Sequence, residues 1–296
     1  MVDVLRDGPR TPTHIARITK LHRSNVSRAL SELQNSDVVY CLSPELRKGR
    51  LYALAPESAI QLYVRGRSEE LPTQAPQPDL EAEFTPRVRG EAMIGGVAAA
   101  AEILGPDGLV KLSRACGFNF LRIRRDRWYS MKLHHLFLHQ LANLFDSGGL
   151  TLCGRIGRRS IAHLPYLQQF LAARNVGVLA LAERAPLLHG YYFNFGRFEM
   201  EPRRNGFEVR QFDMLPTPQF CAARRGNYRG VMEAGGYVAE VQEIHCETEG
   251  DPYCAFQISV KRARESPQSG GGRNHPCLWR ADGDEPALLG NVSRKP

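Results

Sequence analysis

The sequence contains no run of eighteen apolar residues, and its start, MVDVLRDGPR, has neither an apolar signal core nor a small-residue cleavage site. A membrane-spanning helix needs about twenty mainly apolar residues, so we expect neither a membrane span nor export. Cysteine is also sparse, with seven in 296 residues. In the cytoplasm that this predicts, an odd number of cysteines favours thiols or metal ligands over disulfides.

Cofactor fingerprints are missing too. No G-x-G-x-x-G is present, and the Gly- and Arg-rich segment CGRIGRRSI, residues 153–161, lacks the lysine and spacing of a P-loop. We expect that segment to be a solvated basic loop. Without a nucleotide or dinucleotide fingerprint, we predict that the protein is not an enzyme.

Acidic residues are fewer than basic ones, 31 against 39, which gives a net charge of +8 and suits a polyanionic partner. The length allows about two domains. Composition divides the chain into a patterned block at 1–67, a Pro-rich acidic linker at 68–89, an apolar domain at 90–262 and a polar, Gly-rich tail at 263–296 that we expect to be disordered.

The first block has the pattern of two helices joined by a tight turn. Thr11 is suited to cap a helix whose first residue is Pro12. After a break at 20–22, apolar residues recur at helical spacing from Val26 to Leu33. The opposite face is small, polar and basic. Two β-prone runs, VVYCL and LYALA, then flank the basic turn SPELRKGR.

This arrangement, carried by HRSNVSRALSELQNSDVVYCLSPELRKGRLYAL, resembles the DNA-binding domain of archaeal and bacterial winged-helix regulators. The resemblance implies that the second helix enters the major groove of double-stranded DNA while the hairpin grips phosphate. Residues 1–67 carry eleven Lys/Arg against six Asp/Glu, which agrees with this function. The predicted DNA-contacting residues are Arg23, Ser24, Asn25, Ser27, Arg28, Arg47, Lys48 and Arg50. A structural or protein-binding helix pair is the alternative.

The second domain is predicted to be α+β. Helical segments occupy the stretch from Glu91 to Leu144, and they must cover an apolar partner. A hairpin turning at 204–206, a helix from about Thr217 to Ala234 and a second hairpin predict a four-stranded antiparallel sheet.

The turn of the second hairpin, EIHCETEGDPYC, places two cysteines near facing strand ends. Glu243 lies three residues before Cys246, so a bulge near His245 is needed to bring the carboxylate and the thiolate to one side. Zinc prefers four ligands, and this hairpin offers three of them, Glu243, Cys246 and Cys254. Cys221 in the preceding helix is the natural fourth. The alternative is that these cysteines are ordinary buried thiols.

The spacing Glu243-x2-Cys246-x7-Cys254, with Gly250 in the turn and Cys221 upstream, resembles the zinc-binding segment of the V4R (4-vinyl reductase) domain found in phenol-responsive regulators. The segment RDRWYS before a long helix is similar to the wider superfamily, which includes haem-NO-binding-associated folds. The resemblance implies a structural Zn²⁺, a domain that binds a small hydrophobic or aromatic effector, and a homodimer.

Three functions therefore compete. The leading interpretation is a ligand-responsive transcriptional regulator; a reductase or tetrapyrrole-handling protein and a dimerising scaffold are the alternatives. An apolar cavity between helices and sheet would favour the sensor over the scaffold. His134, His135 and His139 lack a nearby carboxylate pattern, so we interpret them as helix surface or pocket lining rather than metal ligands.

Overall fold

The structure is a computed structural model, and it describes residues 1–6, 8–44, 46, 48–63, 67–76, 85–172 and 178–262. The predicted tail at 263–296 lies outside the described residues. So does Arg47, one of the predicted DNA contacts. The described part of the chain mixes helices and strands, as predicted for an α+β protein. Residues 1–63 are called the N-terminal unit below, and residues 85–262 the C-terminal unit.

Four helices and one hairpin make up the N-terminal unit. They are α1 Val2–Arg6, α2 Pro12–Thr19, α3 Arg23–Asn35, β1 Val39–Cys41, β2 Tyr52–Leu54 and α4 Pro56–Tyr63. Thr11 caps α2 as predicted, with Oγ1 accepting from the backbone N–H of His14 at 3.2 Å. Lys20 ends α2 in a left-handed conformation with φ of 55°, which turns the chain toward α3.

The core of the N-terminal unit forms where α2 and α3 cross. Ile15, Val26 and Leu30 are fully buried there, together with Leu5 of the short first helix. The strands β1 and β2 pair antiparallel, with Val39 opposite Leu54. The predicted helix pair and hairpin are therefore confirmed as structural elements.

Helix α4 joins the two units. Ile60 on α4 is 1% exposed and belongs to the main core of the C-terminal unit. Glu57, also on α4, accepts two hydrogen bonds from Arg125, at 3.0 Å from Nε and 2.6 Å from Nη2. The connection is thus packed and hydrogen-bonded, because one helix contributes to both units.

Part of the predicted linker is also packed. Leu71 is 6% exposed in the main core, and the backbone carbonyl of Gln74 accepts from the N–H of Asn119 at 2.7 Å. The acidic composition of this stretch concealed Leu71, and the predicted linker boundary at 89 is wrong, because Val88 near its end is also fully buried in this core on a strand at 87–89. Residues 77–84 of the linker lie outside the described part of the chain.

The C-terminal unit contains six helices and six strands among the described residues. They are β3 Arg87–Arg89, α5 Gly90–Cys116, β4 Trp128–Ser130, α6 Met131–Phe145, α7 Thr151–Ser160, α8 Pro165–Ala172, α9 Val178–Tyr192, β5 Arg197–Arg203, β6 Gly206–Phe212, α10 Pro218–Ala234, β7 Tyr237–His245 and β8 Cys254–Arg262.

Helix α5 is the central helix of this unit. It breaks at Gly105, where φ is 71°, immediately before Pro106, so the two predicted helical segments are confirmed. By length and composition α5 is also the one helix of the described residues apolar enough to cross a membrane. Its residues Ala98, Ala99, Ala100 and Ala101 are 0% exposed, so protein covers this apolar surface, as expected for a core helix.

The four-stranded antiparallel sheet is confirmed, with strand order β5-β6-β8-β7. Arg203 pairs with Gly206 at the first turn, as the predicted hairpin requires. Phe207 and Val209 on β6 and Ile258 on β8 point toward the helices and are nearly fully buried. This face of the sheet forms the floor of the site described below.

The predicted basic loop at 153–161 is wrong, because this segment forms most of helix α7. Glycine here serves close helix packing against α10. A methyl group on Gly157 would lie 2.1 Å from the carbonyl oxygen of Ala223, and one on Gly226 would lie 2.0 Å from that of Gly154. Only helices with glycine at both contact points approach this closely. The arginines Arg155, Arg158 and Arg159 lie on this helix.

Candidate metal cluster and ligand cavity

Four predicted metal ligands come together at one end of the sheet. One ligand atom each from Cys221, Glu243, Cys246 and Cys254 lies within 4.8 Å of all the others. The sulfur of Cys221 is 3.8 Å from that of Cys246 and 3.9 Å from that of Cys254. Both distances exceed the disulfide bond length of about 2.05 Å, so the three residues are thiols.

The local backbone explains how these residues converge. Thr217 caps α10 and so fixes Cys221 in its first turn. The pairing of β7 with β8 shifts register between Glu243 and His245, which is the bulge that the sequence spacing required. Asp251 then holds the turn, since its Oδ2 accepts from the backbone N–H of Cys246 at 2.7 Å. The arrangement is therefore built into the hairpin.

The electrostatics of this cysteine cluster favour a thiolate at Cys254 and thiols at Cys221 and Cys246. The thiol of Cys221 and the backbone N–H of Glu247 donate to Cys254, which lowers the pKa of Cys254 to about 7. The neighbouring Cys254 sulfur and burial raise the pKa of Cys221, and burial raises that of Cys246. The Oε1 of Glu243 is buried without a hydrogen-bond partner among the described residues. Three sulfurs and an unpartnered carboxylate oxygen are suited to bind a metal ion.

The predicted DNA-contacting residues of α3 lie on its solvent face. Arg23, Ser24, Asn25, Ser27 and Arg28 are all exposed, whereas Val26 and Leu30 between them are buried. Lys48 and Arg50 are exposed in the turn between β1 and β2. The structure therefore places these side chains on the surface of the N-terminal unit, with Arg47 outside the described residues.

A cavity of about 160 Å³ lies between the helices and the sheet of the C-terminal unit. Its walls come from α5, α6, α7, α8, α9 and α10, and its floor from β5, β6 and β8. Most lining residues are apolar or aromatic, among them Phe137, Leu138, Ile156, Leu188, Phe193, Phe198, Phe207, Val209 and Phe220. A dry apolar cavity of about 150 Å³ holds one benzene molecule, so this cavity has the size of a single aromatic ring.

Two histidines on different helices, α6 and α9, line the cavity. His134 and His189 line it, and the Nδ1 of each is buried without a hydrogen-bond partner in the described part of the chain. Burial, assisted by the Arg224 charge, lowers the pKa of His134 to about 3 and that of His189 to about 4. Both imidazoles are therefore neutral near pH 7.

Arg224 is the polar residue that sequence reasoning missed. It lies on α10, and its guanidinium carbon is 5.2 Å from the ring centroid of Phe193 and 5.7 Å from those of Phe220 and Tyr228. The signal was present, because Phe220, Arg224 and Tyr228 are spaced four residues apart and share one helix face. His134 fits the pocket-lining interpretation.

The comparisons with known proteins give a fold likeness only. No family model and no curated protein matches the sequence. Among solved structures, an H-NOX protein from S. oneidensis in the Fe(II) ligation state aligns with a TM-score of 0.50 at 10% identity, covering 59% of this chain and 96% of its own. A second, the Fe(II) unliganded H-NOX protein from K. algicida, has a TM-score of 0.47 at 12% identity, covering 60% and 99%. The C-terminal unit therefore has an H-NOX-like α+β fold.

Proposed function

We propose that the protein is a ligand-responsive DNA-binding transcriptional regulator, with a winged helix-turn-helix at its N-terminus and a zinc-stabilised V4R-type sensor domain behind it. The observation that carries the proposal is the benzene-sized apolar cavity between six helices and the sheet. A scaffold that only dimerises has no need for such a cavity. A small hydrophobic or aromatic effector fits its volume and lining.

The N-terminal unit supports the DNA-binding half of the proposal. The exposed face of α3 carries small serines that allow close approach to base edges, and Arg28 between them is suited to read a base. The exposed cations Lys48 and Arg50 stand in the hairpin turn, where phosphate contacts position a winged helix. A homodimer would present two such helices to two half-sites.

Zinc is the metal we assign to the cysteine cluster. Zn²⁺ bound tetrahedrally at about 2.3 Å from sulfur places its sulfur ligands about 3.8 Å apart. The observed sulfur separations of 3.8 and 3.9 Å match that edge. Glu243 then supplies the fourth ligand, which leaves no open position for catalysis, so the role is structural.

A haem-based sensor is the second candidate, because the fold is similar to that of an H-NOX protein described in an Fe(II) ligation state. His134 has a buried nitrogen at the cavity wall, as an axial ligand requires. The volume does not fit: a tetrapyrrole is several times larger than the single ring that about 160 Å³ accommodates. We therefore favour a small organic effector over haem.

Helix α4 offers a route from effector to DNA. Its residue Ile60 packs in the C-terminal core, and Glu57 pairs with Arg125. Helix α5, against which α4 packs, lines the cavity at Ala92 and Gly96. Movement of α5 on ligand binding would therefore be transmitted to the N-terminal unit. Coupling of this kind is typically worth about 1–3 kcal/mol, or about 5- to 150-fold in affinity.

The test uses the full chain at fixed salt concentration. We expect it to bind duplex DNA, to contain one zinc per chain by elemental analysis, and to change its DNA affinity when an aromatic effector is titrated. The purified protein should also lack a Soret absorption band. Tight ligand binding that leaves DNA affinity unchanged would favour the reductase or scaffold alternative, and a stoichiometric Soret band would favour haem.

A further inference from the structure

The cavity carries one formal charge. Of the described residues that line it, Arg224 is the only one that is ionised at neutral pH, since no aspartate, glutamate or lysine is among them and both lining histidines are neutral. A guanidinium stays protonated in any protein environment, so this charge cannot be removed by proton loss. The cavity is therefore apolar with a fixed cation in its wall.

No carboxylate of the described residues neutralises this cation. Gln211 is its hydrogen-bonding partner: in the amide orientation that matches donors with acceptors, Gln211 Oε1 accepts from Arg224 Nε at 3.1 Å and Nη2 at 2.5 Å, and from Tyr228 Oη at 2.6 Å. Three aromatic rings, Phe193, Phe220 and Tyr228, surround the guanidinium. Five N–H donors are present, and one amide oxygen satisfies only part of them.

Arg229 on the same helix differs from Arg224 in this respect. Arg229 pairs with Glu233 at 3.1 Å, and Arg158 on α7 pairs with the same carboxylate at 2.6 Å. A carboxylate thus pairs with Arg229 on α10, whereas none of the described carboxylates pairs with Arg224 at the cavity. A guanidinium that is fixed by an amide and by aromatic rings, without an acid, is arranged to receive an anion from outside the chain.

We propose that the effector is an aromatic monocarboxylate of benzoate size, whose ring fills the apolar cavity and whose carboxylate pairs with Arg224. This inference rests on the proposed sensor function and names the ligand class of the same site. The carboxylate would take the donors that Gln211 leaves free, in the two-point geometry that guanidinium and carboxylate share. Neutral His134, whose Nδ1 has no partner among the described residues, would add a directional hydrogen bond without adding charge.

Calorimetric titration of the metal-loaded full chain tests the assignment with three probes: benzoate, its neutral isostere benzamide, and phenol. We expect benzoate to bind at least about 10-fold more tightly than benzamide, because a hydrogen bond to a charged group is stronger than one between neutral groups. The variant Arg224→Met should lose at least about 10-fold in benzoate affinity and keep its affinity for benzamide. Arg225→Met, which removes an exposed arginine of the same helix, is the matched control and should leave both affinities unchanged.

Arg224→Lys covers the case in which the methionine variant fails to fold. Lysine keeps the charge but lacks the planar fork, so benzoate should retain a reduced preference over benzamide in this variant. Equal binding of benzoate and benzamide to the wild type would overturn the carboxylate assignment and leave the sensor proposal standing. Failure of all three probes to bind would overturn both. A benzoate preference that survives Arg224→Met would also refute the role of Arg224.

Discussion

Helix α10 contributes to two sites, and they differ in whether residues of the chain supply all the interacting atoms. Cys221 in its first turn joins the cysteine cluster, and Arg224, about one turn later, joins the cavity. The ligand atoms of the cluster face one another within 4.8 Å, so the chain itself completes that site. The polar atoms of the cavity, in Arg224 and the two histidines, keep hydrogen-bonding capacity that the described residues do not satisfy, and a ligand would supply the missing partners. A site of the first kind holds structure, whereas one of the second kind responds to its surroundings.

Removing one sulfur should have the largest effect. Cys246→Ser leaves the metal one ligand short, and because metal binding and folding are linked we expect a loss of more than about 4 kcal/mol in the stability of the C-terminal unit. Chemical unfolding of metal-loaded protein measures this. Cys153→Ala, which changes a buried thiol outside the cluster, should cost only about 1 kcal/mol. Equal stabilities of the two variants would make the cluster ordinary core.

Separating α7 from α10 should disturb both sites together. In Gly157→Ala the new methyl group meets the Ala223 carbonyl oxygen at 2.1 Å, so the helices must move apart. We expect a destabilisation of about 3 kcal/mol together with weaker effector binding. Gly190→Ala on α9 is the control, because nothing lies within 4 Å of its added methyl group. That change should stabilise by about 0.5–1 kcal/mol. Thermal unfolding that ranks the two variants the other way would contradict this packing.

Acid should weaken the C-terminal unit through its buried imidazoles. Unfolded His134 takes up a proton below its ordinary pKa of 6.5, whereas the folded state, with a pKa of about 3, does not. Stability therefore falls with decreasing pH by about 1.4 kcal/mol per pH unit for each such histidine. His134→Leu should reduce the slope measured by urea unfolding between about pH 6 and pH 5.

The comparison for that measurement is His139→Gln, which replaces an exposed histidine of the same helix. It should leave the slope unchanged. His135 and Arg224 both lie close enough to His134 to oppose its protonation. Both residues are therefore left unchanged in the two variants. An unchanged slope in His134→Leu would show that other groups control the acid response.

The smallest effect is expected from a change in the turn between β1 and β2. Lys48→Ala should weaken binding to all DNA sequences alike and reduce the slope of log affinity against log salt by about one. Lys111→Ala, which removes an exposed lysine of the C-terminal unit, should leave that slope unchanged. Fluorescence anisotropy over a range of salt concentrations distinguishes them, and identical slopes in both variants would remove the hairpin from the DNA interface.

Local signals predicted much of this structure. The cap at Thr11, the turn at Lys20 and the alternation in the two sheet hairpins each depend on residues close in sequence. The cysteine cluster was also predictable, since the hairpin fixes Cys246 and Cys254 and the bulge at His245 follows from the position of Glu243. The prediction of a loop at 153–161 was wrong because the deciding contacts are distant in sequence. Two glycines lower the local helix propensity, but they pack against α10, more than sixty residues away.

The sequence by itself determined the α+β class, the two hairpins of the sheet with the helix between them, and the residues that surround the candidate metal site, because turns, caps and periodicity act over a few residues. Only the tertiary structure decided that a benzene-sized cavity exists, that Arg224 is its one charge, and that α4 belongs to both units. A cavity is what remains between side chains from nine separate elements. Its volume and its unpaired charge depend on how those elements pack, which no local stretch of sequence specifies.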